Sequence, residues 1–516
     1  MLRSIATVGG WTMASRVLGF VRDILIARVL GAGLEADAFF VAFRFPNLFR
    51  RLFAEGAFNA AFVPLYARAL TERGPVLAAR FAEETLALLL TVLLAVTFLA
   101  ELAMPWLMAV IAPGFIGDEV KYGLAVQFTR ITFPYLLLMA LAALYSGVLN
   151  AHRRYAHAAA APILLNLAMI AAMAVATPLW GEAGLALSWA VTLAGIGQFL
   201  WMHSAAAQAE AALRLPARPV LTPEIRRLLK LMVPGVIGSG AMQINLLIGT
   251  MIASLAPGAV SYLYYADRIY QLPLGVIGSA IGVVLLPEIT RRLRSGQEGA
   301  AGESLNRAIE LGLLITLPAA VALIAIPEEI IGALFERGAF GREATRATAA
   351  ALAGFALGLP AFVLIKALAP AFYAREDTAT PFRYAIAAMI ANTVLSLAFF
   401  PVLGFVGIAI ATSLASWLNF ALLWIRLARS GFLTIDVRLR RRAPRILLVS
   451  CAMGAALLAA AAGLEDASAG PPLARASALA LLVAGGGALY FALALASGAI
   501  ERSALRALIR RGARAP

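Results

Sequence analysis

Residues 15–53 read SRVLGFVRDILIARVLGAGLEADAFFVAFRFPNLFRRLF. The stretch is apolar enough to enter a bilayer. Yet it carries six arginines (Arg16, Arg22, Arg28, Arg44, Arg50 and Arg51) and two aspartates, Asp23 and Asp37. A charge at the centre of a membrane helix costs about 2.5–3.5 kcal/mol on insertion scales, so this density needs a reason. The charges must face water, pair with one another, or reach an interface along their flexible stems.

The whole chain shares the apolar character. Of 516 residues, 62% are hydrophobic and 14% charged, and mean hydropathy is +0.86, whereas soluble domains carry about 25% charged residues. This is an integral membrane protein. The net charge of +15 is spread between long apolar runs instead of lying on one soluble face, which argues against a nucleic-acid partner. One cysteine, Cys451, excludes an internal disulfide framework. Three histidines offer no zinc or iron set, so neither metal nor cofactor is expected. There is no Walker A pattern and no legible nucleophile–base arrangement, which points to a transporter and not an enzyme. Arg16 and Arg22 interrupt the first apolar run and no small-residue cleavage site follows, so no removable signal peptide is expected.

Taking about 20 apolar residues per crossing, the chain holds about fourteen transmembrane helices. With the N-terminus inside, the inner connections and tail hold twenty-nine Lys and Arg residues. The outer loops hold five: Lys121, Arg337, Arg342, Arg346 and Arg475. That imbalance places both termini on the cytoplasmic side. Sliding the chain over itself by about 224 residues brings Arg44 onto Arg268 and, within two residues, Pro64 onto Pro287, Pro134 onto Pro360 and Asn166 onto Asn392. A six-helix repeat returns to the side it started from, so the two halves share one orientation. The expected fold is an all-α integral membrane protein with two parallel-oriented six-helix repeats around a central cavity and two extra C-terminal helices. The expected divisions are a first bundle over 1–210, a cytoplasmic linker over 211–228 and a second bundle over 229–430. A basic linker over 431–445, helices thirteen and fourteen over 446–498 and a basic tail over 499–516 follow.

Nine basic residues remain within spans: the six above with Arg130, Arg268 and Lys366. Helical spacing puts Arg16 and Asp23 on one face of the first helix. Asp37, Arg44 and Arg51 share a face of the second, with Glu55 one turn further. Asp267 and Arg268 answer them in the second half. Such a seam reads as the wall of an aqueous cavity. Any one residue here is explained as well by a structural pair or by a reach to the interface. The positive excess of the group is not. A cationic cavity prefers an anion, and guanidinium suits a bidentate grip on phosphate or carboxylate oxygens. A coupling-cation site in ANTVLSLAFF would rest on the neutral oxygens of Asn392 and Ser396 alone. The basic tail is expected to anchor on anionic membrane lipid.

The stretch SRVLGFVRDILIARVLGAGLEADAFFVAFRFPNLFRRLFAEGAF, followed by YYADRIYQLPLGVIGSAIGVVLLPEI, resembles the MurJ/MviN family of lipid II flippases within the multidrug/oligosaccharidyl-lipid/polysaccharide exporter superfamily. The resemblance runs over essentially the whole chain. It implies transfer of an undecaprenyl-diphosphate-linked peptidoglycan precursor to the outer leaflet of the bacterial inner membrane by alternating access. By motif it implies headgroup contacts from Arg16, Arg22, Arg50 and Arg268, with Asp23, Asp37, Glu55 and Asp267 as their partners. Spacing favours Arg51 over Arg50 as the inward residue, and the motif favours Arg50. The cell-wall synthesis machinery is an implied partner. Three rival readings remain: a flippase for another polyprenyl-diphosphate glycan, a multidrug exporter of the same fold, and a membrane scaffold.

Overall fold

A computed structural model describes residues 2–50, 57–214 and 218–500. Among the described residues the regular structure is helical throughout, with no strand. The first nine helices are α1 (Leu2–Leu30), α2 (Leu34–Arg50), α3 (Ala57–Glu72), α4 (Pro75–Ile111), α5 (Glu119–Thr132), α6 (Tyr135–Ala151), α7 (Tyr155–Ala171), α8 (Thr177–Trp180) and α9 (Ala183–Ala207). The next eight are α10 (Pro223–Ala253), α11 (Ala259–Arg294), α12 (Glu298–Ala325), α13 (Pro327–Phe335), α14 (Arg342–Ala356), α15 (Leu359–Tyr373), α16 (Ala379–Leu403) and α17 (Phe405–Arg429). Three more close the described chain: α18 (Val437–Gly463), α19 (Glu465–Ala469) and α20 (Pro472–Ala496).

Long Leu- and Ala-rich runs favour helix. Their starts are marked by caps: Asp118 accepts from Lys121 N, Thr222 from Ile225 N and Asp436 from Leu439 N. Among the described residues, ten helical segments are long and apolar enough to cross a membrane, with α5–α6 and α14–α15 each acting as one. The other four expected crossings coincide with α1, α2–α3, α10 and α11, helices that fall outside that criterion.

The repeat is visible in the elements. The starts of α2, α4, α5, α6, α7 and α9 are answered by those of α11, α12, α14, α15, α16 and α17 within two residues of the 224 offset. The turn after α6 places Arg153 at φ 59°, and the turn after α15 places Glu376 at φ 62°. Such left-handed backbone is uncommon outside glycine, so its recurrence marks one inherited turn.

The chain forms two compact units, residues 1–261 with 338–340, and residues 262–337 with 341–516. In the first, Phe58, Phe62 and Tyr66 of α3 stack in series, and Phe81 of α4 joins them 5.5 Å from Phe62. Ile225, Leu228 and Met232 at the start of α10 close the same cluster. Lipid gives no hydrophobic drive between helices, so close approach over small residues matters. Gly147 lies beneath Phe62, Gly184 beneath Phe128 and Gly195 beneath Tyr135, each with room for no Cβ. Gly31 turns the chain from α1 into α2 at φ 66°, and a Cβ there would overlap the Ala339 carbonyl.

In the second unit α12 is the post to which the extra helices are fastened. Tyr490 of α20 donates to Leu314 O at 2.6 Å, and Gly454 of α18 lies against Val321. Midway along α12, buried Glu310 accepts from Arg307, Arg438 and Arg442. Arg307 also reaches Asp436, and Asn306 holds the incoming chain through Thr434 O at 2.9 Å. Carboxylates thus neutralise basic side chains in the first two turns of α18.

Candidate functional site

Arg22 and Asp23 are both buried, 6% and 3% exposed. Arg22 donates Nη2 and Nε to Asp23 Oδ1 at 2.7 and 3.1 Å, and Nη1 to Asn166 Oδ1 at 2.9 Å. Asn166 in turn donates Nδ2 to Ser15 O at 2.9 Å. Gly19 lies against the Asn166 amide, which lets α7 come close to α1. A buried ion is tolerated only when paired and hydrogen-bonded, and here the pair is satisfied within one turn of α1 and across to α7. Along the face of α1 that carries both, Arg16 is exposed, while Asp23 is buried and turns to its chain neighbour Arg22. Arg28, too, is exposed.

Asp37 also departs from the expected seam with Arg44. It has no exposed surface. Its Oδ2 accepts from Lys121 Nζ at 2.6 Å and Gly258 N at 2.9 Å; its Oδ1 accepts from Ser261 N at 2.9 Å and Ser261 Oγ at 2.6 Å. Lys121, read from sequence as an outer-loop residue, sits in the first turn of α5, buried, 4.2 Å from the centre of the Phe115 ring. Glu35 acts similarly, accepting from Gly184 N at 2.6 Å where α9 starts. Two acids in the first turn of α2 therefore meet the amide-rich starts of other helices, where negative charge is favoured.

The remaining arginines keep more contact with their surroundings. Arg44 is half-buried and donates Nη1 to Thr250 Oγ1 of α10 at 2.9 Å. On α11, Arg268 donates Nη2 to Tyr264 Oη at 2.9 Å, its guanidinium 4.7 Å from the centre of that ring. Asp267 accepts from Gln271 on the same helix. The side chain of Arg50, and Arg51 and Glu55 altogether, lie outside the described residues. Sequence reasoning missed Lys121, Thr250 and Tyr264. It had Asn166 as a repeat marker, without seeing it as the partner of Arg22.

A cavity of about 490 Å³ opens within the first unit between α3, α4 and the start of α10. Arg73 and Glu224 face each other across it at 2.8 Å. That hydrogen bond holds the Glu224 carboxyl below the usual carboxylate range. Among the described residues, no group of histidine, cysteine or acidic side chains could hold a metal ion.

The model of the lipid II flippase MurJ family matches residues 26–467. The probable lipid II flippase MurJ of Rhizobium tropici is 46% identical over 100% of this chain and 98% of its own length. That of Rhizobium meliloti (strain 1021) is 47% identical over 100% and 97%. This chain belongs to the lipid II flippase MurJ family. A solved MurJ structure in an inward closed conformation shares the fold at TM-score 0.80 and 24% identity, over 94% of this chain and 97% of that one. An inward-facing multidrug resistance MATE family transporter of the MOP superfamily shares it at TM-score 0.65 and 16% identity, over 83% and 98%. Family membership makes the chain a multi-pass membrane transporter and gives the arginines of α1 and α11 a chemical context.

Proposed function

We propose that this chain moves lipid II, the undecaprenyl-diphosphate-linked peptidoglycan precursor, from the inner to the outer leaflet of the bacterial cytoplasmic membrane by alternating access. The observation that carries the reading is the presence, in a chain of this family, of guanidinium groups that a diphosphate can meet. Arg16 is exposed and has no ion pair among the described residues, and Arg268 is half-buried, bonded to a neutral phenol. Charge-assisted bonds from such groups to phosphate oxygens are about twice as strong as neutral ones. Arg22, matched to Asp23, then serves the headgroup as a rigid edge of the site more than as an open charge. Arg50 and Arg51 stay candidates on the sequence argument alone.

In this scheme the diphosphate neutralises arginines that otherwise repel, which makes inward closure less costly. Release outside restores the repulsion and resets the protein. A potential negative inside acts on the site's net charge at about 2.3 kcal/mol per charge per 100 mV. Both termini face the cytoplasm, the tail rests on anionic lipid, and the cell-wall synthesis machinery receives the product. The test has two arms. Depletion in the native bacterium should make lipid II accumulate on the inner leaflet. Purified protein in vesicles should flip a polyprenyl diphosphate glycan and not the matching monophosphate. Accumulation of a different polyprenyl-linked glycan would overturn the substrate, and equal flipping of the monophosphate would overturn the role of the arginines.

A further inference from the structure

Two intramembrane charges take no part in the site above. Glu101 lies well inside α4, and Arg130 lies in the last turn of α5. Glu101 is half-buried, with its Oε1 enclosed and without a hydrogen-bond partner. The Thr97 hydroxyl, one turn earlier on the same face, is enclosed and without a partner in the same way. The surroundings are apolar: Leu93, Ala100 and Met104 of α4 pack against Phe133, Leu136 and Ala140.

Arg130 lies on α5, which packs against α4, and is exposed. Tyr122, also on α5, is committed to Pro105 O at 2.5 Å. From α6, Leu136 and Ala140 join this cluster, and further along α4 the contacts with α3 and the start of α10 include the apolar cluster around Phe81 and Leu86. The 224 offset puts alanine (Ala325) opposite Glu101 and glycine (Gly354) opposite Arg130. The second half builds the same helices without this pair, so the scaffold does not require it.

An ionised carboxylate held in apolar surroundings is costly, and the neutral acid much less so. We propose that Glu101 is a proton-binding site within the membrane, whose charge is exchanged against the position of Arg130. In one state the carboxyl carries an O–H bond and Arg130 extends toward lipid headgroups or water along its flexible stem. In the other, the proton has returned to water and the guanidinium pairs with the carboxylate. No electron moves and no co-reactant is needed. The site stands without reference to substrate; its coupling to transport rests on the flippase reading above.

The experiment separates the two. Difference infrared spectra of the purified protein in nanodiscs, wild type minus Glu101→Gln, should show a carboxylic-acid carbonyl band that disappears as the pH is raised. Glu101→Asp should keep such a band, and Arg130→Gln should let it persist into more alkaline solution. Thermal unfolding of each variant checks that it is folded. A difference spectrum with no titrating band overturns the site. In vesicles clamped at zero potential, a pH gradient should change the flipping rate of wild type and leave Glu101→Gln indifferent. Equal responses of the two overturn the link to transport.

Discussion

Arg44 and Arg268 occupy one position of a repeated helix, and the fold fastens them in different ways. Arg44 reaches across to Thr250 on α10, whereas Arg268 folds back one turn onto Tyr264 of its own helix. The repeat counterpart of Tyr264 is Phe40, which is fully buried and has no hydroxyl to offer. A bond within one helix travels with that helix as it moves. A bond between two helices is altered whenever they part. The Tyr264 bond therefore stays with Arg268 as α11 moves, and the Thr250 bond of Arg44 reports on the contact between α2 and α10. Repetition set where the arginines stand; the neighbours decided what each can do.

The strongest break lies seven residues upstream, where Asp37 faces its own counterpart, Ser261. Replacing Asp37 by serine leaves Lys121 buried beside no carboxylate and should destabilise the protein by about 3–5 kcal/mol, read from thermal unfolding in nanodiscs. A loss below about 1 kcal/mol would show that the buried pair carries little. Next, Arg268→Ala should weaken binding of undecaprenyl diphosphate by about 1.5–3 kcal/mol, the worth of a hydrogen bond to a charged group. Arg44→Ala should weaken it less, and the reverse order in a binding titration would break the comparison. More finely, Tyr264→Phe should cost about 1 kcal/mol in the same titration, whereas Thr250→Val should spend a similar amount on stability and leave affinity alone.

The smallest effect belongs to the exposed pair Arg73–Glu224, where Glu224→Gln should cost about 0.2–1 kcal/mol. Glu224 has a lowered folded value because Arg73 bonds its carboxylate. Its contribution is complete above the ordinary carboxylate range and fades as pH falls through the lowered value. Unfolding of wild type and variant should therefore converge in acid and separate near neutrality.

Much of the architecture was legible because membrane crossing writes itself as length and hydropathy, and because the 224 offset survives in Arg44, Pro134 and Asn166. The partners of the charges were harder to read. Helical spacing relates a residue only to others on its own helix, so Asp37 was set beside Arg44 while Lys121 and Ser261 lay far along the chain. Pro46 within α2 separates Arg44 from Arg50 and weakens any argument from a straight helix there. Arg22 with Asp23 was open to reading by adjacency alone. Lys121 gave one signal, a lysine in a chain that otherwise favours arginine, and it went unused.

The bond between Asp37 and Ser261 has a consequence for descent. Two copies of one ancestral segment have become each other's ligand, acid on one side and hydroxyl on the other. Drift at either place is felt at once by the other, so relatives should change them as a couple. Recombination that made the copies alike again would set two acids, or two hydroxyls, where one of each is wanted; divergence here is a condition of the duplicate's cohesion.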